Sequence, residues 1–149
     1  MAAKINSKDM LILKCLRENS NQPLTDIAKE TGIPVTTIYD RMRVQGQKVI
    51  MKYTVLVDFV KLGYQTKVKI ALKVKKEDRK VVKEFLLGHK NLNSLFRINM
   101  GYDYLAEMIF MNHAQAHCFV DKLEEKFGIK EKQLFFVVDE IERERFLVK

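Results

Sequence analysis

The sequence has few of the residues that mark several whole classes of protein. Six glycines and two prolines in 149 residues exclude collagen-like and low-complexity chains. Two cysteines, Cys15 and Cys118, are too few for a disulfide framework, which favours a reducing cytoplasm. The longest uncharged run of the second half, 108–120, is shorter than the ~18 residues of a membrane span. Because charges near the N-terminus also interrupt any signal peptide, we expect a cytoplasmic protein that does not enter a membrane.

Positive charge is in excess and is unevenly distributed. The chain has 27 Lys and Arg against 19 Asp and Glu, for a formal net charge of +8. Residues 61–90 hold ten basic and three acidic residues, whereas residues 91–149 hold eight and ten. Nucleic acid is one interpretation of this excess and a solvated lysine-rich face is the other, and charge alone does not separate them.

The first third of the chain predicts three short helices. Asn6 followed by Asp9 is typical of a helix start. Pro23 suits the first turn of a second helix, and Gly32 suits its left-handed end. A third helix is expected to end near Gln45. These helices are followed by a segment rich in Val, Ile, Tyr and Thr, which predicts an extended wing.

The spacing of Ala28, Gly32 and Ile38 is that of a helix-turn-helix. A small residue at Ala28 allows close approach of two helices, and Gly32 adopts a positive φ without strain. Ile38 and Met42 face inward and anchor the third helix. With a helix before this pair and a wing at Val49–Val57, the pattern predicts a winged helix-turn-helix; a generic helical bundle is the alternative.

The third helix of such a motif enters the DNA major groove. Arg43 is expected to bind a guanine or a phosphate. Asp40 is expected to read a cytosine amino group, to pair with Arg43, or to exclude wrong sequences. Arg41 lies nearer the buried side and is interpreted as a structural ion-pair former. A solvated helix face remains the alternative for each side chain. The predicted DNA contacts on this helix and on the wing are Thr36, Thr37, Tyr39, Asp40, Arg43, Lys48 and Lys52.

The second half predicts the element order β-α-β-β-α-β. Residues 66–75 alternate between apolar residues and lysine, as in a strand with one buried face. The remaining elements are a helix over Glu77–Leu87, strands over Leu95–Asn99 and Tyr104–Met111, a helix capped by Asn112, and a strand over Leu134–Val138. The expected fold class is therefore α+β, with an N-terminal winged helix-turn-helix at 1–58, a connector at 59–64 and a C-terminal ferredoxin-like βαββαβ domain at 65–149.

Several stretches follow one another in the order seen in a known family. They are Ile5–Leu13, Ile27–Ile33 with Thr37-Ile38 and Arg41-Met42, the wing, and Tyr102-Asp103-Tyr104. In these residues the whole chain resembles the Lrp/AsnC (feast/famine) family of transcription regulators. The resemblance implies homodimers, often assembled into octamers, that bind pseudo-palindromic double-stranded promoter DNA. It also implies that a small molecule, often an amino acid, modulates this DNA binding.

The turn of the family's sensing domain is altered in this chain. The family pattern is Gly, any residue, Tyr, Asp, and alignment on Tyr102-Asp103 places Met100 at the Gly and displaces Gly101 by one position. The residues of the expected effector site are Met100, Gly101, Tyr102 and Asp103. Asp103 is able to bind an amino group, but a Met side chain would occupy the space of a ligand's carboxylate. We therefore expect a weak or absent response to free amino acids.

Other functions find less support in the sequence. His113, His117 and Asp121 have the helical spacing of a metal site, but an incidental His pair is favoured, so no metal is expected. A sirohaem decarboxylase resembles this family in architecture and would need Arg and His side chains around a tetrapyrrole carboxylate. Arg97 and the three His of this chain give little support for such a site. A protein-interaction module is a third alternative. We expect no catalytic residues, no cofactor and no enzymatic activity.

Dimerisation is expected through the open face of the predicted sheet. Lys67, Lys69 and Lys73 lie on that face, which is an awkward composition for the core of an interface. Glu107 and the edges of neighbouring strands are expected to offset these charges. The apolar contacts are expected from Ile109, Phe135 and Val137.

Overall fold

The computed structural model describes residues 5–46 and 48–147. Contacts group these residues into two units. The helical unit contains the described residues up to Leu56 together with 141–147, and the sheet unit is Val57–Glu140. This division falls two residues before the predicted boundary at 58, and it groups 141–147 with the helical unit rather than with the predicted C-terminal domain. No helix of the described residues is long and apolar enough to cross a membrane.

The helical unit contains α1 (Ser7–Glu18), α2 (Leu24–Thr31) and α3 (Val35–Gly46). The predicted start of α1 is confirmed: the backbone N–H of Asp9 donates to Asn6 Oδ1, and that of Asn6 donates to Asp9 Oδ2, both at 3.0 Å. Gly32 ends α2 with a φ of 69°, as its position predicted. The core of this unit is a cluster of buried side chains, Ile12, Cys15, Leu16, Ile27, Ile33 and Ile38.

The segment after α3 forms no hydrogen-bonded strand. Residues 50–58, which include most of the predicted wing, are neither helical nor paired in a sheet. Several apolar side chains are largely exposed here, from Met51 at 98% to Val55 at 76%. A strand needs a neighbour for its backbone groups, and no described segment of the chain pairs with this one. Its β-rich composition therefore produces an exposed, unpaired segment.

The sheet unit contains four strands and two helices. The strands are β1 (Thr66–Val74), β2 (Leu92–Arg97), β3 (Tyr104–Phe110) and β4 (Ile129–Phe136), and the helices are α4 (Arg79–Leu87) and α5 (His113–Lys126). The sheet order is β2-β3-β1-β4 with antiparallel neighbours. This arrangement confirms the predicted ferredoxin-like fold. Alternation in β1 is also confirmed, because Val68, Ile70, Leu72 and Val74 are buried beneath α4 and α5.

Some predicted bounds in the sheet unit were wrong. β2 begins three residues earlier than predicted, and β4 begins at Ile129 rather than at Leu134. The predicted helix from Glu77 begins instead as a short 3₁₀ turn, Lys76–Asp78. Pairing with β1 determines the extent of β4, since Val74 lies opposite Ile129 and Val68 opposite Phe136. The charged start of β4 gave no local sign of a strand.

Candidate DNA-binding helix and effector turn

One side of α3 is buried and the opposite side faces solvent. Ile38 is fully buried and Met42 packs against the same core cluster, as predicted. Tyr39 is 59% exposed. Thr36, Asp40 and Arg43 are also exposed, whereas Thr37 is half-buried. The structure therefore presents four of the predicted contacts on α3 to solvent together, with Thr37 at the margin.

A buried ion pair holds α3 against α1. The Arg41 guanidinium lies 2.7 Å from Asp9 Oδ1, and Asp9 is only 2% exposed. The same guanidinium nitrogen donates to Asn6 Oδ1 at 3.1 Å. Arg41 is thus confirmed as a structural residue. It fixes the rotation of α3 and so decides which residues of that helix face outward.

The charged residues on the exposed side remain available. Asp40 and Arg43 take part in no ion pair that the described residues show, so the two do not neutralise each other here. Lys48 and Lys52 are also exposed, in the turn after α3 and in the unpaired segment. An exposed arginine near two exposed lysines in sequence suits contact with a phosphate backbone.

The turn between β2 and β3 has left-handed backbone at two successive residues. Met100 has a φ of 61° and Gly101 a φ of 93°. Two successive positive φ values are typical of type I′ hairpin turns. Met100 is 90% exposed. The residue that replaces the family's Gly therefore keeps a conformation that Gly adopts without strain.

The carboxylate of Asp103 is already bound on both of its oxygens. The Val74 N–H donates to Oδ2 at 2.8 Å, and Arg79 Nε lies 2.8 Å from Oδ1. An incoming ammonium would therefore have to displace Arg79. Arg79 was not among the predicted residues, because nothing local relates a residue at the start of α4 to a turn on the far side of β2.

Tyr102 connects the turn to β4. Its hydroxyl donates to Glu131 Oε1 at 2.7 Å, and Lys73 Nζ lies 3.5 Å from Glu131 Oε2. The hydrogen bond raises the pKa of Tyr102 and lowers the pKa of Glu131 from their ordinary values. Tyr102 thus links the turn to β4 through Glu131.

The open sheet face contains ion pairs beside apolar side chains. Lys69 Nζ lies 3.9 Å from Glu107, as expected, and Lys67 pairs with Glu140. Phe135 is 52% exposed, whereas Ile109 is already 4% exposed within the single chain. Phe96, 54% exposed, adds apolar surface that the sequence analysis did not assign to this face.

The histidines of α5 are in packing contacts. The His113 ring lies 4.6 Å from the Phe136 ring, and its Nδ1 is 3.4 Å from Thr66 Oγ1. The His117 ring lies 5.6 Å from Phe136. Among the described residues, no group of three or more His, Cys, Asp or Glu has metal-binding geometry.

Comparison with known proteins gives one consistent result. A family model described as winged helix-turn-helix DNA-binding matches residues 5–44. The HTH-type transcriptional regulator FL11 of Pyrococcus abyssi is 27% identical over 81% of each chain. The regulatory protein AsnC of Haemophilus influenzae is 36% identical over 54% of this chain and 55% of its own.

A solved structure agrees with both units of the fold. A transcriptional regulator from Neisseria meningitidis, solved in complex with L-Met, superposes with a TM-score of 0.84 at 19% identity. The match covers 94% of each chain. Together with the family model, it confirms an N-terminal helix-turn-helix domain of the winged type followed by a four-stranded sheet with helices.

Proposed function

We propose that the chain is a transcription regulator of the Lrp/AsnC type, to whose members it is similar, and that it binds promoter DNA sequence-specifically through α3. The observation that carries this proposal is the exposed side of α3, with Arg43 unpaired among the described residues and Arg41 engaged in the ion pair with Asp9. Arg43 reads a guanine or a phosphate in the major groove, while Thr36, Thr37, Tyr39 and Asp40 contact bases or backbone nearby. Lys48 and Lys52 contact phosphates.

Selection of bound sequences from random DNA tests this function. A consensus with two related half-sites is expected, and the half-site spacing gives the assembly. Arg43→Ala should then weaken binding to the consensus by about 1–3 kcal/mol if Arg43 reads a base. Arg97→Ala, an exposed arginine of the sheet unit, is the matched control and should bind normally.

A phosphate contact has a different signature from a base contact. Lys52→Ala should weaken binding to all sequences alike and reduce the salt slope by about one unit. If Arg43→Ala and Lys52→Ala both bind like the wild type, α3 and the segment after it are not the DNA-binding surface.

We also propose a homodimer formed through the open sheet face. The half-exposed rings of Phe96 and Phe135 favour such an interface, and the pairing of Lys67, Lys69 and Lys73 with glutamates removes the main objection to it. Light scattering of the full chain should give twice the monomer mass. Phe135→Lys should shift the population toward monomer, and a monomeric wild type would contradict the proposal.

The effector response is proposed to be weak. The Neisseria relative binds L-Met, whereas Arg79 here occupies the Asp103 carboxylate that an amino group would need. Calorimetry with the twenty amino acids tests this directly. Sub-millimolar binding of any of them, abolished by Asp103→Ala, would show that the altered turn still senses amino acids.

Regulation rather than catalysis is proposed for this architecture. The relatives are named transcriptional regulators, which favours DNA binding over a decarboxylase or a protein-interaction module. DNA as a partner and the two free thiols, Cys15 and Cys118, favour the cytoplasm. A haem-like absorption band in the pure protein would instead support the decarboxylase.

A further inference from the structure

A cavity of about 300 Å³ opens at one end of the sheet unit. Its walls come from residues 89–91 just before β2, the end of β3, the residue Tyr64 before β1, and one face of α5. The effector turn joins the opposite ends of β2 and β3. The cavity is therefore separate from that turn, and its volume suits a small molecule.

The charges on the cavity wall are all positive. Lys90 and Lys122 both line it and are exposed, and neither has an ion-pair partner among the described residues. None of the lining side chains is acidic. Two ammonium groups without a counter-ion favour an anion and oppose a cation.

The inner wall is aromatic. Phe110 and Phe119 are 3% and 6% exposed, with ring centroids 5.7 Å apart, and half-buried Tyr64 joins them in the lining. Three aromatic rings provide a surface for an apolar or planar body. The cavity thus combines a cationic rim with an apolar wall.

The polar groups near the start of β2 are fixed before any ligand binds. Asn91 Nδ2 donates to the Ile109 carbonyl at 2.5 Å, and the Ile109 N–H donates to the Asn91 carbonyl at 2.9 Å. The Asn91 N–H donates to His89 Nδ1 at 3.2 Å, so the neutral His89 ring carries its proton on Nε2. Burial, with a smaller contribution from Lys90, lowers the pKa of His89 and so favours the neutral ring. His89 thus offers one N–H donor to a ligand.

We propose that this cavity binds a small organic anion with an aromatic or apolar body and no ammonium group, such as an arylcarboxylate. Lys90 and Lys122 bind the carboxylate, and Phe110, Phe119 and Tyr64 contact the ring. A zwitterionic amino acid is disfavoured because no lining carboxylate pairs with its ammonium. The ligand class therefore differs from the amino acids, to which the effector turn is proposed to respond only weakly.

Calorimetric titration of the full chain with phenylacetate is the primary test. Saturable binding in the millimolar range or tighter is expected, with phenylacetamide and L-phenylalanine each at least about tenfold weaker. Lys90→Gln and Lys122→Gln should each weaken phenylacetate about threefold, and the double variant about tenfold. Lys130→Gln, an exposed lysine outside the cavity, should bind like the wild type.

Cys118 provides a second, independent readout. It is exposed and lines the cavity, whereas Cys15 is 2% exposed. Alkylation by neutral iodoacetamide, followed by intact mass, should modify one thiol, and saturating phenylacetate should slow it at least about threefold. The proposal is overturned by absent saturation, by equal affinity for phenylacetamide, by a double lysine variant that binds normally, or by a thiol that phenylacetate does not protect.

Discussion

The helical unit and the sheet unit bury different kinds of side chain. In the helical unit, the carboxylate of Asp9 is 2% exposed and pairs with Arg41 beside a small apolar cluster. The core of the sheet unit is a larger, apolar cluster, and its buried polar side chain among the described residues, Thr66, is uncharged. The first unit therefore adds one directional contact to its apolar packing, whereas the core of the second depends on the filling of volume.

Leu72→Ala should produce the largest loss of folding stability. Leu72 is fully buried in the C-terminal half of β1, so the substitution leaves a cavity and should cost about 2–5 kcal/mol of unfolding free energy. Amide exchange in β1 and β3, together with urea unfolding, measures it. Leu72→Met, which keeps the volume, should cost under about 1.5 kcal/mol. Equal losses in the two variants would show that volume does not govern this core.

Arg41→Gln should produce the next largest loss of folding stability. It removes the Arg41 guanidinium from the buried Asp9 carboxylate and should cost about 1–3 kcal/mol, because the Arg41 side chain is 30% exposed and water reaches the site. Amide exchange in α1 and α3 reports the change. Adding Asp9→Asn should recover part of it, with a coupling of about 0.5–3 kcal/mol. Strictly additive losses would mean that the pair contributes nothing specific.

Met100→Gly should stabilise the sheet unit slightly. Relief of the left-handed strain at Met100 exceeds the entropy cost of a new glycine, for a net gain of about 0.5–1 kcal/mol. Thermal unfolding of the full chain measures this gain. Gly101→Ala is the converse variant and should destabilise, since Gly101 also has a positive φ. A destabilising Met100→Gly would refute the strain.

The smallest expected effect is a pH dependence at His89. Burial, with a smaller contribution from Lys90, lowers its pKa in the folded chain. The unfolded chain then binds a proton at a pH where folded His89 stays neutral. The contribution of His89 to the free energy of unfolding is therefore fully present above the ordinary His pKa of about 6.5, and it is lost as the pH falls below that value.

Urea midpoints above and below that pH test the sign. His89→Gln should flatten the decline toward acid pH relative to the wild type. A decline that is the same in His89→Gln and in the wild type would assign it to other groups.

Sequence patterns predicted the parts of the fold that local chemistry decides. The cap formed by Asn6 and Asp9, the end of α2 at Gly32 and the inward side of Ile38 each depend on residues within one or two helical turns. The alternation of β1 is equally local. The family resemblance then supplied the order of the two domains.

The remaining features depend on contacts between distant residues. The start of β4 follows from its pairing with β1, and the Arg79 ion pair with Asp103 joins α4 to a turn 24 positions away. The Lys90 and Lys122 cavity likewise joins residues 32 positions apart. Neither spacing follows a helical or strand period, so no pattern in the sequence marks these residues as neighbours.

The unpaired segment at 50–58 has a consequence for colloidal stability. Its exposed Met51, Tyr53 and Val55 combine high β-propensity with apolar surface, which promotes edge-to-edge aggregation in concentrated solution. Lys52 interrupts that run and acts as a gatekeeper against self-stacking. Neutralising Lys52 therefore lowers solubility at the same time as it removes a phosphate contact, and Lys52→Glu separates the two because it keeps a charge while repelling DNA.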